Sequence, residues 1–155
     1  MATWINSDCS DDEILEVVFQ WIDVLSQKDY DRVARELGYW DFDVQTATKA
    51  IREAIGGYRA PGLFPGVEEF EVSDWRLAVG GKSEPTRKVV RCEENTVGIA
   101  VSVCIDLPLN GAWSDLAADF LLFEREYRPG QYELRLEEIT HPIRGFEAEP
   151  ATGLD

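Results

Sequence analysis

Val97-Gly98-Ile99-Ala100-Val101-Ser102-Val103-Cys104-Ile105-Asp106-Leu107 alternates without a break. Every odd position is a branched aliphatic residue, and every even position is Gly, Ala, Ser, Cys or Asp. Successive side chains of a strand point to opposite faces, so this stretch predicts a strand with one wholly apolar face. Pro108-Leu109-Asn110-Gly111 is turn chemistry and closes it, and Ser114-Asp115 likewise reads as turn chemistry leading into the next strand. Downstream, Leu116–Tyr127 and Tyr132–His141 predict two further strands joined by Arg128-Pro129-Gly130-Gln131. Upstream, Arg87–Cys92 predicts a short strand, and Glu93-Glu94-Asn95-Thr96 turns the chain between the two. Before that, Phe70 and Val72 alternate, the phase slips at Asp74-Trp75, and Leu77 and Val79 follow. This predicts a bulged strand, ended by the turn region from Gly80-Gly81 to Pro85.

An apolar strand face needs a cover, and the N-terminal third supplies it. Ser10-Asp11-Asp12-Glu13 is a capping box, followed by Ile14, Val18, Trp21 and Leu25 at helical spacing. Asp29 predicts the cap of a short helix carrying Val33 and Leu37 and stopping at Gly38. A third helix begins near Asp43, carries Ala47, Ala50, Ile51, Ala54 and Ile55, and ends at Gly56-Gly57. Tyr58–Gly66, with two Pro and two Gly, is a loop. Helices first and strands after define an α+β fold, with N-terminal helices packed on an antiparallel sheet. The core should join Trp21, Ile99, Val101, Val103 and Phe120. Residues 1–141 read as one domain, and 142–155, rich in Pro, Gly, Ala and Glu, as a loosely ordered tail.

The chain of 155 residues carries 30 Asp and Glu against 15 Lys and Arg, a net charge of −15. Residues 1–77 hold 16 acids and 7 bases and residues 78–155 hold 14 and 8, so the excess is spread along the chain. Such a balance argues against nucleic acid, whose binders neutralise phosphates with basic side chains, and against an anionic membrane surface. Five Trp, five Tyr and seven Phe argue against disorder. The start, Met1-Ala2-Thr3-Trp4-Ile5-Asn6, has neither a basic n-region nor an apolar h-region, and no long apolar run occurs; a cytoplasmic protein is expected. Cys9, Cys92 and Cys104 form no Cys-x-x-Cys pair and read as reduced thiols, two of them buried in strands.

The order of a long helix, a short helix after Lys28-Asp29-Tyr30-Asp31 and a meander of long strands resembles the cystatin-like α+β roll of the nuclear transport factor 2-like superfamily. The resemblance covers about residues 10–141 and implies a curved sheet wrapped around a helix with a conical cavity. A tighter likeness lies in Trp113-Ser114-Asp115-Leu116 followed by Ile139-Thr140-His141. It is similar to a segment of uncharacterised bacterial proteins that carry no activity to transfer. The superfamily includes ketosteroid-isomerase-like enzymes, dehydratases and non-catalytic binding or immunity-type proteins, and fold likeness alone does not choose among them. Relatives in the superfamily often pair through their sheets, so a homodimer through the small face of Gly98, Ala100, Ser102 and Cys104 is expected.

Few residues offer chemistry. His141 is the only histidine, so imidazole acid–base catalysis must use it. It reads either as a proton shuttle beside a carboxylate or as a strand-end residue hydrogen-bonded to backbone. Asp119, between Ala118 and Phe120, is a candidate general base if it points into a dry cavity, and a solvated residue if it points outward. Trp40 and Asp41, with Phe42, Asp43 and Tyr58, are candidates for contact with a ligand or partner, although helix capping explains Asp43. A single histidine makes a catalytic zinc site implausible, and there is neither a nucleophile elbow nor a Gly-rich phosphate loop, so no metal and no cofactor are expected. Two functions compete. The first is a non-catalytic binding or interaction protein, of immunity type, with a basic protein partner. The second is a small isomerase- or dehydratase-like enzyme that holds a small apolar ligand near Asp119 or His141.

Overall fold

The structure is a computed structural model and describes residues 2–92 and 98–141. The turn read at Glu93-Glu94-Asn95-Thr96, Val97 and the tail from Pro142 lie outside the described residues. Helix α1 (Asp11–Ser26) starts as its capping box dictates: Ser10 Oγ accepts from Glu13 N at 3.1 Å, and Ser10 N donates to Glu13 Oε1 at 2.8 Å. Ile14, Val18, Trp21, Ile22 and Leu25 are its buried stripe. Helix α2 (Tyr30–Glu36) is capped by Asp29 and α3 (Val44–Gly56) by Asp43, each side chain accepting a backbone N–H three residues on. After α2 the backbone turns left-handed at Gly38, where a Cβ would come within 2.5 Å of the Arg135 guanidinium.

Among the described residues the sheet has five strands, all pairs antiparallel: β1 (Thr3–Asn6), β2 (Arg87–Arg91), β3 (Ile99–Leu109), β4 (Ala112–Glu124) and β5 (Gln131–Thr140), in the order β1-β5-β4-β3-β2. Helices lead and the long strands follow, so the α+β class holds. Val101, Val103, Ile105 and Leu107 are fully buried and join Phe120, Leu122, Leu134 and the helix stripes in one core cluster. The odd positions of β3 therefore face the helices. Ile99 is only half-buried, because the register between β3 and β4 shifts between Ile99 and Val101.

Three features depart from the sequence reading. Thr3–Asn6 forms the edge strand β1 against β5, too short to show a period. No strand forms over Phe70–Val79: Val72 makes a lone bridge to Leu109, and Leu77 and Val79 are 72% and 77% exposed. The backbone of this segment is instead bonded to the tip of the β3–β4 hairpin. Ser73 N donates to Pro108 O, Val79 N to Gly111 O and Asn110 N to Glu71 O, and the Asn110 side chain bonds the backbone of Glu69 and Glu71. The hairpin itself turns on two residues, Asn110 and Gly111, both at positive φ, so β3 runs through Pro108-Leu109 and β4 starts at Ala112 rather than Leu116. All three cysteines are free and half-buried, and Cys92 lies just past β2.

Where β1 stops, no strand among the described residues pairs with the outer side of β5. There the Tyr39 hydroxyl accepts from Ile139 N at 3.0 Å and donates to Ile139 O at 3.4 Å. Among the described residues no helix is long and apolar enough to cross a membrane. Because Val101 is wholly enclosed, Val101→Ala is expected to destabilise the protein by roughly 1–3 kcal/mol in urea unfolding, through lost transfer energy and a residual cavity. An unchanged midpoint would mean that the face is not packed as described.

Candidate functional site

The site is built on a defect in β4. Between the pairs Asp106–Ala117 and Pro108–Trp113, three residues of β4, Ser114 to Leu116, oppose the single Leu107 of β3. A bulge of this kind leaves backbone groups without ladder partners and redirects side chains. Ser114, fully buried, answers the first need: its Oγ donates to Leu107 O at 2.7 Å and accepts from Leu116 N at 3.1 Å. Asp115 meets the second. Its Oδ1 accepts from the Tyr58 hydroxyl and its Oδ2 lies 2.9 Å from His141 Nε2.

Each partner arrives by a different route. Tyr58 directly follows Gly57, the C-cap of α3, and is 5% exposed. Its ring stands edge-on to Phe64, Phe70 and His141, with centroids 6.2, 5.0 and 5.7 Å away. His141 is the first residue past β5. Burial, reinforced by the hydrogen bond to Asp115, holds the Tyr58 hydroxyl above the usual phenol range, so it stays protonated and donates. The Asp115 and His141 side chains are 13% and 24% exposed, and His141 borders a cleft of about 380 Å³. Its walls come from Ala54 near the end of α3, from Leu116 and from Ile139. A carboxylate on one ring nitrogen of a histidine fixes the tautomer and orientation of the imidazole, leaving the other nitrogen to act.

The other candidates lie elsewhere. Asp119 sits on the sheet face away from the core, opposite Cys104 and Glu138 in register. Burial raises its carboxyl above the usual range, opposed by a hydrogen bond from the Cys104 thiol, which is itself pushed up to about 12 by burial and by the Asp119 charge. Asp119 is thus paired with Cys104, and His141 with Asp115. Trp40 and Asp41 lie in the turn between α2 and α3 and line a different cleft from Tyr58. Trp40 has φ +54° and is 49% exposed; Phe42 is 45% exposed, and Asp41 is exposed. Asp43 is the α3 cap, with its carboxyl lowered by the Thr46 N–H.

Sequence reasoning missed Asp115, treating Ser114-Asp115 as turn residues. A signal was present, because Trp113-Ser114-Asp115-Leu116 and Ile139-Thr140-His141 stood out together, but their meeting depends on the bulge. It also missed Asp106, which is 1% exposed and bonded by Lys82 Nζ at 2.7 Å and Thr86 N at 2.6 Å, a clamp on the loop that leads into β2. No protein-family model, curated protein or solved structure matches the chain. Among the described residues no group of three His, Cys, Asp or Glu is placed to hold a metal ion.

Two outcomes follow for these carboxylates. Tyr58→Phe removes a donor to a charged acceptor and should cost about 1.5–3 kcal/mol of stability, read by urea unfolding. Asp119 has a folded-state pKa above its unfolded value, so its ionised form destabilises the fold at neutral pH; that penalty fades as pH falls through the raised pKa. Asp119→Asn should therefore be more stable than wild type at pH 7, and the two should converge in the ordinary carboxylate range.

Proposed function

We infer that the protein is a non-catalytic interaction protein that captures a basic protein partner. The observation that carries this reading is Trp40. A bulky residue at positive φ is a strained outlier, and such strain collects at binding and switching sites. Here it holds a half-exposed indole beside exposed Asp41 and Phe42. The position is braced: Tyr39 before it is buried and tied to β5, and Arg135 Nη2 donates to Trp40 O at 3.5 Å. Exposed Trp is the residue type most often found at the energetic centre of protein interfaces. The net charge of −15 supplies a field that speeds encounter with a cationic surface. The filled helix–sheet core also supports this reading, since Val101, Val103, Ile105 and Phe120 occupy the space that an interior ligand cone would need. On this reading the chain sits with the immunity-type members of the nuclear transport factor 2-like superfamily that it resembles.

The test is affinity capture at low salt with wild type and Trp40→Ala as baits, eluted by a salt gradient. One stoichiometric basic protein should elute from wild type before the Debye length shrinks to about 8 Å near 0.15 M salt, and Trp40→Ala should lose it. Recovery of non-specific polycations alone, or equal capture by Trp40→Ala, would overturn the reading.

A further inference from the structure

The cleft beside His141 shares no lining residue with the cleft that Trp40 and Asp41 border. We propose that it is a small-molecule site in which His141, oriented by Asp115, accepts the proton of a neutral weak acid with a flat apolar body, such as a phenol.

The chemistry of the lining selects this class. Both oxygens of Asp115 are committed, Oδ1 to the Tyr58 hydroxyl and Oδ2 to His141 Nε2, so the carboxylate has little left to offer a cation. Two exposed residues of opposite sign line the cleft, Glu53 and Arg59. Arg59 is held in place by Nη1, which donates to Gly56 O at 3.2 Å and Tyr58 O at 2.7 Å. An anion from solution would have to approach a protein of net charge −15 and pass Glu53. A neutral molecule meets no such barrier. Ala54, Leu116 and Ile139 offer apolar wall, and about 380 Å³ falls at the small end of ligand sites.

His141 then supplies the polar anchor. With Nε2–H directed at Asp115, Nδ1 carries the lone pair in the neutral ring. On binding, the ligand O–H bond breaks and an Nδ1–H bond forms. The product is an imidazolium held between Asp115 and the ligand oxyanion, with Arg59 near the new negative charge. Asp115 is a positioning residue here, and Tyr58, protonated throughout, keeps its second oxygen occupied. The titratable and charged groups around the imidazole are Asp115 from β4, neutral Tyr58 and cationic Arg59 after α3, and Glu53 on α3.

The chain contains one histidine, so its imidazole C2–H signal in proton NMR belongs to His141 without mutagenesis. The probe is 4-nitrophenol, whose ionised form absorbs in the visible, with 4-nitroanisole, which has no O–H, as control. At a pH where the free probe is neutral, wild type should generate the nitrophenolate band saturably. The His141 titration midpoint should move to higher pH with 4-nitrophenol and stay in place with 4-nitroanisole. His141→Gln should abolish the band. The proposal is overturned if the probe does not bind saturably, if the His141 signal is unmoved at saturation, or if His141→Gln keeps the band. The wild-type NMR titration decides the matter even if the variant fails to fold.

Discussion

The apolar face of β3 is the constraint from which the rest follows. Val101, Val103, Ile105 and Leu107 have no exposure, and a one-residue slip would turn all four to solvent. That sets the register of β3 against β4, and of β4 against β5, strongly. It also sets where the helices must lie, since α1 supplies the stripe from Ile14 to Leu25 that meets this face. A register this tightly specified tolerates irregularity only where the unpaired backbone groups find other partners. Leu107 is the point at which one irregularity is tolerated.

At that point the fold trades regularity for reach. Ser114 lies in the bulge and satisfies two of its backbone groups, Leu107 O and Leu116 N. A threonine or alanine there would not do both jobs in the same enclosed space. With the backbone satisfied, Asp115 is brought to Tyr58 and His141, which come from positions 57 and 26 residues away in sequence. The site is therefore assembled by sheet register, with no loop carrying it alone. Asp106 shows the same economy on the other side of the bulge, where a buried carboxylate is matched by one ammonium and one backbone N–H.

What could be read from the sequence was local. Ser10, Asp29 and Asp43 each cap the helix predicted for them, because a cap is a contact between residues three apart. The alternation of β3 was equally plain, and so was the outcome for Trp21, Val101 and Phe120 in the core. The failures share a cause. The alternation of Phe70, Val72, Leu77 and Val79 is genuine, but the backbone of that segment finds its partners at the Asn110-Gly111 turn some 40 residues on, and Leu77 and Val79 face solvent. Thr3–Asn6 has one buried residue, Ile5, and a partner at the far end of the chain. Asp115 looked like a turn residue because a bulge has no signature until its partner strand is known. Of the residues singled out, His141 and Tyr58 belong to one site, while Trp40 with Asp41 and Asp119 with Cys104 belong to two other surfaces.

Tyr39 has a consequence of a different kind. A sheet edge with free N–H and C=O groups is a template onto which another chain can add, and proteins commonly blunt it with charge, proline or a bulge. Beyond β1, the edge of β5 is blunted by a phenol: one hydroxyl occupies both backbone groups of Ile139. Phenylalanine at this position would keep the packing and release the pair. The chain would then carry an open growth point beside a strongly apolar strand, and its resistance to self-templated aggregation would rest on charge repulsion alone, which salt removes.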